Sequence, residues 1–241
     1  MHSKTEIHLF PQVMFKNPHD RHLATRKNYS NNSLDKNGLN VCVEENLKDC
    51  KEFKSSLRKH YLQKRLLLKE TDLISRSIDI ACKLIDHKIY KSAQNIALYS
   101  PTRSEVDTSL IFKHSRLLGK NTYFPKVCKD SLRFYEISNF TDLKTGSFGI
   151  KEPDCSTNKE LSLENIDIFL IPAICFDKYG NRVGYGKGFY DRTLNNINSD
   201  KKVGLAFNFQ ITDRIPQEFF DKHVGFIATE SGVTKTYRGG N

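Results

Sequence analysis

At 241 residues, 38% of them hydrophobic and 27% charged, the chain suits one folded domain with an appendage and excludes disorder throughout. Its formal charge of +10 calls for a polyanionic partner: nucleic acid, an acidic membrane surface or a small polyphosphate. Lysines and arginines are spread evenly from Lys51 onward without a long block, which favours the small ligand.

Residues 1–44 are rich in Asn, His and Lys, carry Pro11, Pro18 and Gly38, and show no sustained period. They are expected to form a flexible N-terminal extension in front of a domain spanning 45–241. The first residues lack the apolar core of a secretory signal, and the extension's acids argue against an organelle transit peptide.

Residues 45–69 follow a helical period, with Leu47, Phe53, Leu57, Tyr61, Leu62 and Leu66 as the apolar positions. A second helix, capped by Thr71 or Asp72, presents Ile74, Ile78, Ala81, Cys82 and Ile85. A short strand at 95–100 leads to a loop holding Arg103 and Glu105. Asp107 or Thr108 then caps a helix bearing Leu110, Ile111, His114, Leu117 and Leu118, ended by Gly119.

Strand signals follow at 121–125 and 132–137, then a turn-rich region. The run at 166–172 is almost continuously apolar, as a strand buried on both faces requires. Further central strands are expected at 203–207 and 224–228, with a helix over 188–198. Strands alternating with helices predict an α/β three-layer sandwich with a largely parallel central sheet flanked by helices, Rossmann-like in type.

Four of the 13 glycines (Gly180, Gly184, Gly186 and Gly188) fall close together, with Arg182 and Lys187 between them and Asp191 after. Glycines let backbone N–H groups crowd around one point, and a helix start with cations beside it suits a polyphosphate. Asp191 could hold a Mg²⁺ ion bridging phosphate oxygens. The competing reading is a surface turn with solvated charges. Ligands of open α/β sheets sit beyond the carboxyl ends of the strands, where this loop and the 100–105 loop would meet.

The six cysteines (Cys42, Cys50, Cys82, Cys128, Cys155 and Cys175) form no Cys-x-x-Cys pair and no zinc-type cluster. Reduced thiols in a cytoplasmic compartment are expected, with Cys175 as buried filler. The longest apolar stretch, 166–176, is too short to span a membrane and contains Asp167.

The string from Ile171 to Asp191, Ile-Pro-Ala-Ile-Cys-Phe-Asp-Lys-Tyr-Gly-Asn-Arg-Val-Gly-Tyr-Gly-Lys-Gly-Phe-Tyr-Asp, resembles the signature of the 5-formyltetrahydrofolate cyclo-ligase family. Lys54-Ser-Ser-Leu-Arg58, Ser104-Glu-Val-Asp-Thr108, Gly146-Ser-Phe-Gly-Ile-Lys-Glu-Pro153 and Thr229-Glu-Ser-Gly-Val233 are similar to its other motifs, in the same order. The resemblance covers about residues 50–235. It implies ATP- and Mg²⁺-dependent closure of 5-formyltetrahydrofolate to 5,10-methenyltetrahydrofolate, with release of ADP and phosphate.

By the same resemblance, Arg182 and Lys187 are the catalytic cations. Lys54, Arg58 and the run Arg182, Val183, Gly184, Tyr185, Gly186, Lys187, Gly188, Phe189 and Tyr190 contact ATP. Arg58, Ser100, Glu105, Tyr185, Gly186, Lys187, Gly188 and Phe189 contact the folate, and Asp191 and Asp221 hold the metal. Gly225 departs from the pattern, standing where the family often has an acid.

A monomer is expected, with a small-molecule partner and neither nucleic acid nor membrane. Two alternatives stay open on the residues alone. One is an ATP-dependent activator of another N-formyl compound on the same fold. The other is a basic RNA-binding module, whose affinity would fall steeply with salt.

Overall fold

The computed structural model of the protein describes residues 41–237, so the expected extension over 1–44 lies almost wholly outside the described residues. One compact unit begins at Asn46. Its elements in chain order are α1 (Val41–Leu66), α2 (Glu70–Asp86), α3 (Lys88–Lys91), β1 (Asn95–Ala97) and α4 (Ser109–Leu117). Next come β2 (Asn121–Cys128), β3 (Ser131–Glu136), β4 (Leu143–Thr145), β5 (Lys151–Pro153) and β6 (Glu160–Leu161), of which β4 and β5 pair as a hairpin apart from the central sheet. The second half holds β7 (Ile168–Pro172), β8 (Cys175–Asp177), β9 (Arg182–Val183), α5 (Phe189–Thr193), β10 (Lys202–Leu205), β11 (Ile211–Thr212), β12 (Phe226–Thr229) and β13 (Gly232–Lys235).

Eight strands form the central sheet in the order β13-β12-β10-β7-β1-β2-β3-β6. The five inner strands, β12 to β2, run parallel, and the antiparallel β13, β3 and β6 close its edges. Chain order reverses between β1 and β7, so the crevice beyond their carboxyl ends is the natural ligand position.

Alternation along each strand sorts the core into two layers. Ile96, Leu98, Ile168, Leu170, Val203 and Leu205 face α2, α3 and α4. Ala97, Phe169, Ile171 and Ala206 face the other way, toward Phe176, Leu194 and the short α5. Burying such side chains fully is worth about 1.5–3 kcal/mol each, so the apolar run at 166–172 leaves this strand one place to go.

The helical periods read from the sequence are right, but the buried faces are rotated. In α1, Phe53 and Leu66 are half-exposed while Lys54, Tyr61 and Arg65 point inward. In α2 the buried residues are Ser77, Ile80, Ala81 and Leu84, whereas Ile74, Ile78 and Cys82 are exposed. Ser77 earns its interior position by accepting a hydrogen bond from the Asp107 amide at 3.0 Å. The helix also starts earlier than a Thr71 or Asp72 cap implies, at Glu70, with Asp72 adding favourable charge to its first turn.

Around α4 the expected Ile111 is buried, but Leu117 and Leu118 are exposed, and Phe112 and Ser115 take the remaining buried positions. Asp107 serves the helix start by accepting from the Ser109 amide at 2.8 Å, while the Thr108 hydroxyl donates to the Tyr99 carbonyl. Gly119 ends it in the left-handed conformation, as expected.

A second sheet, β11-β8-β9, was not legible in the sequence, and it aims the glycine loop. The buried Asp177 organises its turn: one carboxylate oxygen accepts from the Tyr179 and Asn181 amides, the other from Ile215 N and Asn181 Nδ2. Gly204 of β10 lies under Phe176 of this sheet, and a Cβ there would stand 2.5 Å from the ring. Gly204→Ala should therefore cost about 1–3 kcal/mol of stability by overpacking. Urea denaturation measures this, and an unchanged midpoint would show that the two sheets pack less tightly than described.

Candidate active site

The site is assembled by one face of α1. Lys54, Arg58, Tyr61 and Arg65 recur at helical spacing, and all turn toward the second sheet and the loops around it. Tyr61 packs with Ile174, Cys175, Val183 and Ile215, which fastens the helix. The Val183 side chain therefore belongs to this core.

Lys54 Nζ donates to Glu218 Oε2 at 2.6 Å and to Asp221 Oδ2 at 2.5 Å. Burial alone would lower the Lys54 pKa, but the bonds to Asp221 and Glu218 outweigh it and raise the pKa. Asp221 also accepts from the Glu218 amide at 2.9 Å. One turn along, Arg58 Nε donates to the Gly184 carbonyl at 2.8 Å, and its guanidinium lies across Gly186.

Gly186 and Gly188 have φ of +93° and +66°, so the loop needs glycine there. From Tyr185 to Asp191 no backbone N–H finds an acceptor among the described residues. Consecutive unpaired amides at a helix start, with arginines and a lysine around them, make a cradle for an anion. Arg182 borders it, held by Asp191 Oδ1 at 2.8 Å and by the Lys222 carbonyl.

Asp191 Oδ1 also accepts from the Lys222 amide at 3.0 Å, which brings Asp191 beside the neighbour of Asp221. The contacts thus close a ring: Lys54 to Asp221, Lys222 to Asp191, Arg182 to the loop, and Gly184 back to Arg58. Each aspartate spends one oxygen on a cation of the chain. Among the described residues no three acidic, imidazole or thiol groups converge as a metal cluster. A divalent ion here would take one or two carboxylates and fill its shell with water and phosphate oxygens, a donor set that fits Mg²⁺. At Gly225 a side chain has no room, since a Cβ would stand 2.4 Å from the Ser199 carbonyl oxygen.

Lys187 is exposed, its ammonium 5.9 Å from the centre of the Phe148 ring, and Phe148 in turn meets Phe189. Ser100 Oγ donates to the Lys151 carbonyl at 2.6 Å, drawing the 146–153 turn to the end of β1. Glu105 is buried beyond β1, with Oε2 accepting from the Thr102 amide at 3.0 Å and the Tyr185 side chain close by. Burial raises the Glu105 pKa from the ordinary 4.5 to about 7, against the opposing pull of Arg65. Tyr190 stands near enough to Glu105 that this carboxylate, after burial, raises its phenol pKa.

The chain matches the family model "5-formyltetrahydrofolate cyclo-ligase family" over residues 50–230. It belongs to that family. It is 38% identical over 136 residues to the 5-formyltetrahydrofolate cyclo-ligase of Haemophilus influenzae, covering 54% of this chain and 73% of that one. Its fold matches the NMR structure of Aquifex aeolicus 5,10-methenyltetrahydrofolate synthetase with a TM-score of 0.69 and 34% identity, over 78% of this chain and 94% of the other. The Mycoplasma pneumoniae 5,10-methenyltetrahydrofolate synthetase matches with a TM-score of 0.60 and 28% identity, over 73% and 98%.

Sequence reasoning missed Arg65, Glu218 and Lys202. Arg65 left a signal, being the third basic residue on the inward face of α1 with Lys54 and Arg58. Lys202 opens the central strand β10, and its ammonium donates to the Leu194 carbonyl at 2.9 Å. Burial, helped by Arg182 and Lys222, pushes its pKa down to about 8. Glu218 left none, since nothing in its neighbourhood marks it before folding.

Glu105 has a consequence for stability. Its folded pKa lies above its unfolded one, so the native state binds the proton more tightly, and stability falls as pH rises from about 4.5 through about 7. Glu105→Gln removes the ionisation and should stabilise the protein at pH 8 by on the order of 2–3 kcal/mol. Urea midpoints of the two proteins at pH 8 check this, and equal values would contradict a buried, ionisable Glu105.

Proposed function

We propose that the chain converts 5-formyltetrahydrofolate to 5,10-methenyltetrahydrofolate, using ATP with Mg²⁺ and releasing ADP and phosphate. The observation that carries the reading is the row of unpaired amides from Tyr185 to Asp191, flanked by Arg58, Arg182 and Lys187 and adjoining the buried Glu105. A polyphosphate and a flat hydrogen-bonding heterocycle are the two ligands this pair of surfaces suits.

A formamide carbonyl is a poor electrophile, because its nitrogen lone pair is delocalised into it. Transfer of the terminal phosphoryl group to the formyl oxygen turns that oxygen into a leaving group and leaves an iminium-like carbon. N10 of the same folate attacks this carbon and loses its proton, and the C–O bond breaks with its electrons leaving on phosphate. Such steps depend on positioning and charge neutralisation more than on a protein nucleophile.

In this reading Arg182 and Lys187 neutralise the transferring group, and Lys54 and Arg58 serve the nucleotide. Gly184, Gly186 and Gly188 let it approach the backbone, with Val183 and Tyr190 beneath. Arg58, Ser100, Tyr185 and Phe189 border the folate, and Glu105 accepts from its N–H donors. Asp191 and Asp221 would hold the Mg²⁺, which supplies further neutralisation of phosphate charge. The reading goes with a monomer in a reducing, cytoplasmic compartment, which suits the free thiols of Cys50, Cys82, Cys128, Cys155 and Cys175. No helix among the described residues is long and apolar enough to cross a membrane.

Purified protein should produce the methenyl-folate absorbance from 5-formyltetrahydrofolate only when ATP is present, with one phosphate released per turnover. Folded protein giving no signal would remove the reading. Lys187→Ala should lower kcat by about 100-fold, the usual loss for one charge-stabilising donor. An unchanged rate would take Lys187 out of the chemistry.

A further inference from the structure

Arg65 is 1% exposed, and a charge so deep is costly unless its donors are used. Nε donates to the Arg103 carbonyl at 2.9 Å, Nη1 to the Ala173 carbonyl at 3.1 Å, and Nη2 to the Tyr185 hydroxyl. Arg103 follows β1, Ala173 follows β7, and Tyr185 belongs to the glycine loop. One side chain therefore bridges the two strands between which the sheet reverses its order, and ties both to the cradle.

The loop it grips is strained. Arg103 and Ser104 both adopt the left-handed region, with φ of +47° and +58°, although neither is glycine. Such residues cost on the order of 1 kcal/mol or more each and persist where their surroundings fix them. Glu105 turns inward two residues after the carbonyl that Arg65 holds. Yet Arg65 Nη2 stays 4.0 Å from Glu105 Oε1, too far for a bidentate pair. Glu105 keeps acceptor capacity beyond its bond to Thr102, so its charge is supported without being consumed.

We infer that Arg65 is the positioning residue for the heterocycle: it holds the strained 101–105 loop, the Tyr185 ring and the end of β7 so that Glu105 presents a free, charged oxygen to a ligand's N–H donors. The inference rests on the cyclo-ligase reading for the ligand's identity, but the arrangement itself is independent of turnover. The groups facing Glu105 are Arg65 from α1, Arg103 from its own loop, Tyr99 from the end of β1, Tyr185 from the glycine loop and Tyr190 from α5. Of these groups the two arginines are the cations that favour its ionised form, and the buried Arg65 acts more strongly than Arg103. The Arg103 guanidinium stands instead 5.3 Å from the centre of the Tyr185 ring.

The test is steady-state kinetics of the full chain with 5-formyltetrahydrofolate and ATP, from about pH 6 to about pH 9, for wild type, Arg65→Lys and Arg65→Met. In the wild type the folate KM should rise as pH falls through about 7, where Glu105 takes its proton. Arg65→Met should move that rise to higher pH and increase the folate KM at neutral pH by about tenfold, with the ATP KM changed less than about twofold. Arg65→Lys keeps the charge without the fork, so the midpoint should return while part of the KM defect stays.

An unshifted midpoint, or equal losses in both KM values, would overturn the inference. If Arg65→Met fails to fold, Arg65→Lys decides through the KM comparison alone. The Glu105 titration, followed by side-chain carboxyl NMR in wild type and variant, separates this inference from the functional reading. Wild type inactive on the folate would sink the reading, whereas a Glu105 titration identical with and without Arg65 would sink the inference.

Discussion

Everything at this site depends on α1 docking a charged face. A helix that turns Lys54, Arg58 and Arg65 inward cannot be held by apolar contact alone, because each buried cation forfeits several kcal/mol of hydration unless donors and acceptors match. The matching groups are supplied by loops distant in sequence: Glu218 and Asp221 for Lys54, the Gly184 carbonyl for Arg58, and two carbonyls and a phenol for Arg65. The docked helix and the shaped loops therefore stabilise one another.

The same contacts leave an electrostatic surplus where a polyanion would lie. Arg182 is half-neutralised by Asp191, but Lys202 beneath and Lys222 beside it add positive charge in a water-poor place. The depressed pKa of Lys202 records that crowding after the effect of burial itself. The amides from Tyr185 to Asp191 add unpaired N–H dipoles of the same sign. A phosphate chain arriving there would relieve repulsion already built into the fold, and it would do so without reorganisation, the property that makes a preorganised site effective.

The sequence revealed the scaffold and the cradle more clearly than the clamp. The strand at Ile168–Pro172 was legible because burial on both faces demands an uninterrupted apolar run. The glycine loop was legible because glycine takes the positive φ of Gly186 and Gly188 without a Cβ penalty. The faces of α1, α2 and α4 were misjudged for one shared reason: residues that hydrophobicity assigns to water are inside, satisfied by specific partners. Ser77 accepts from Asp107, Arg65 donates to three loops, and Ser115 shares a hydrogen bond with Tyr90. The second sheet was hidden because its strands are two or three residues long, and it is the buried Asp177, an unpromising strand residue, that shapes its turn.

Those misjudged places are where local preference and the needs of the site conflict. Burial holds Glu105 near its neutral form, and the left-handed pair Arg103–Ser104 is unfavourable in isolation, yet both lie on one loop at one strand end. Arg65 bonds this loop from α1, and the Thr102 amide bonds the Glu105 carboxylate within it. A carboxylate left free in solution would take any donor; one held desolvated and still partly charged discriminates, because an ill-fitting ligand leaves its lone pairs unsatisfied. In the reading proposed above, the strained loop and the raised pKa would serve selectivity for a hydrogen-bonding heterocycle, with Arg65 bonding the loop that carries both.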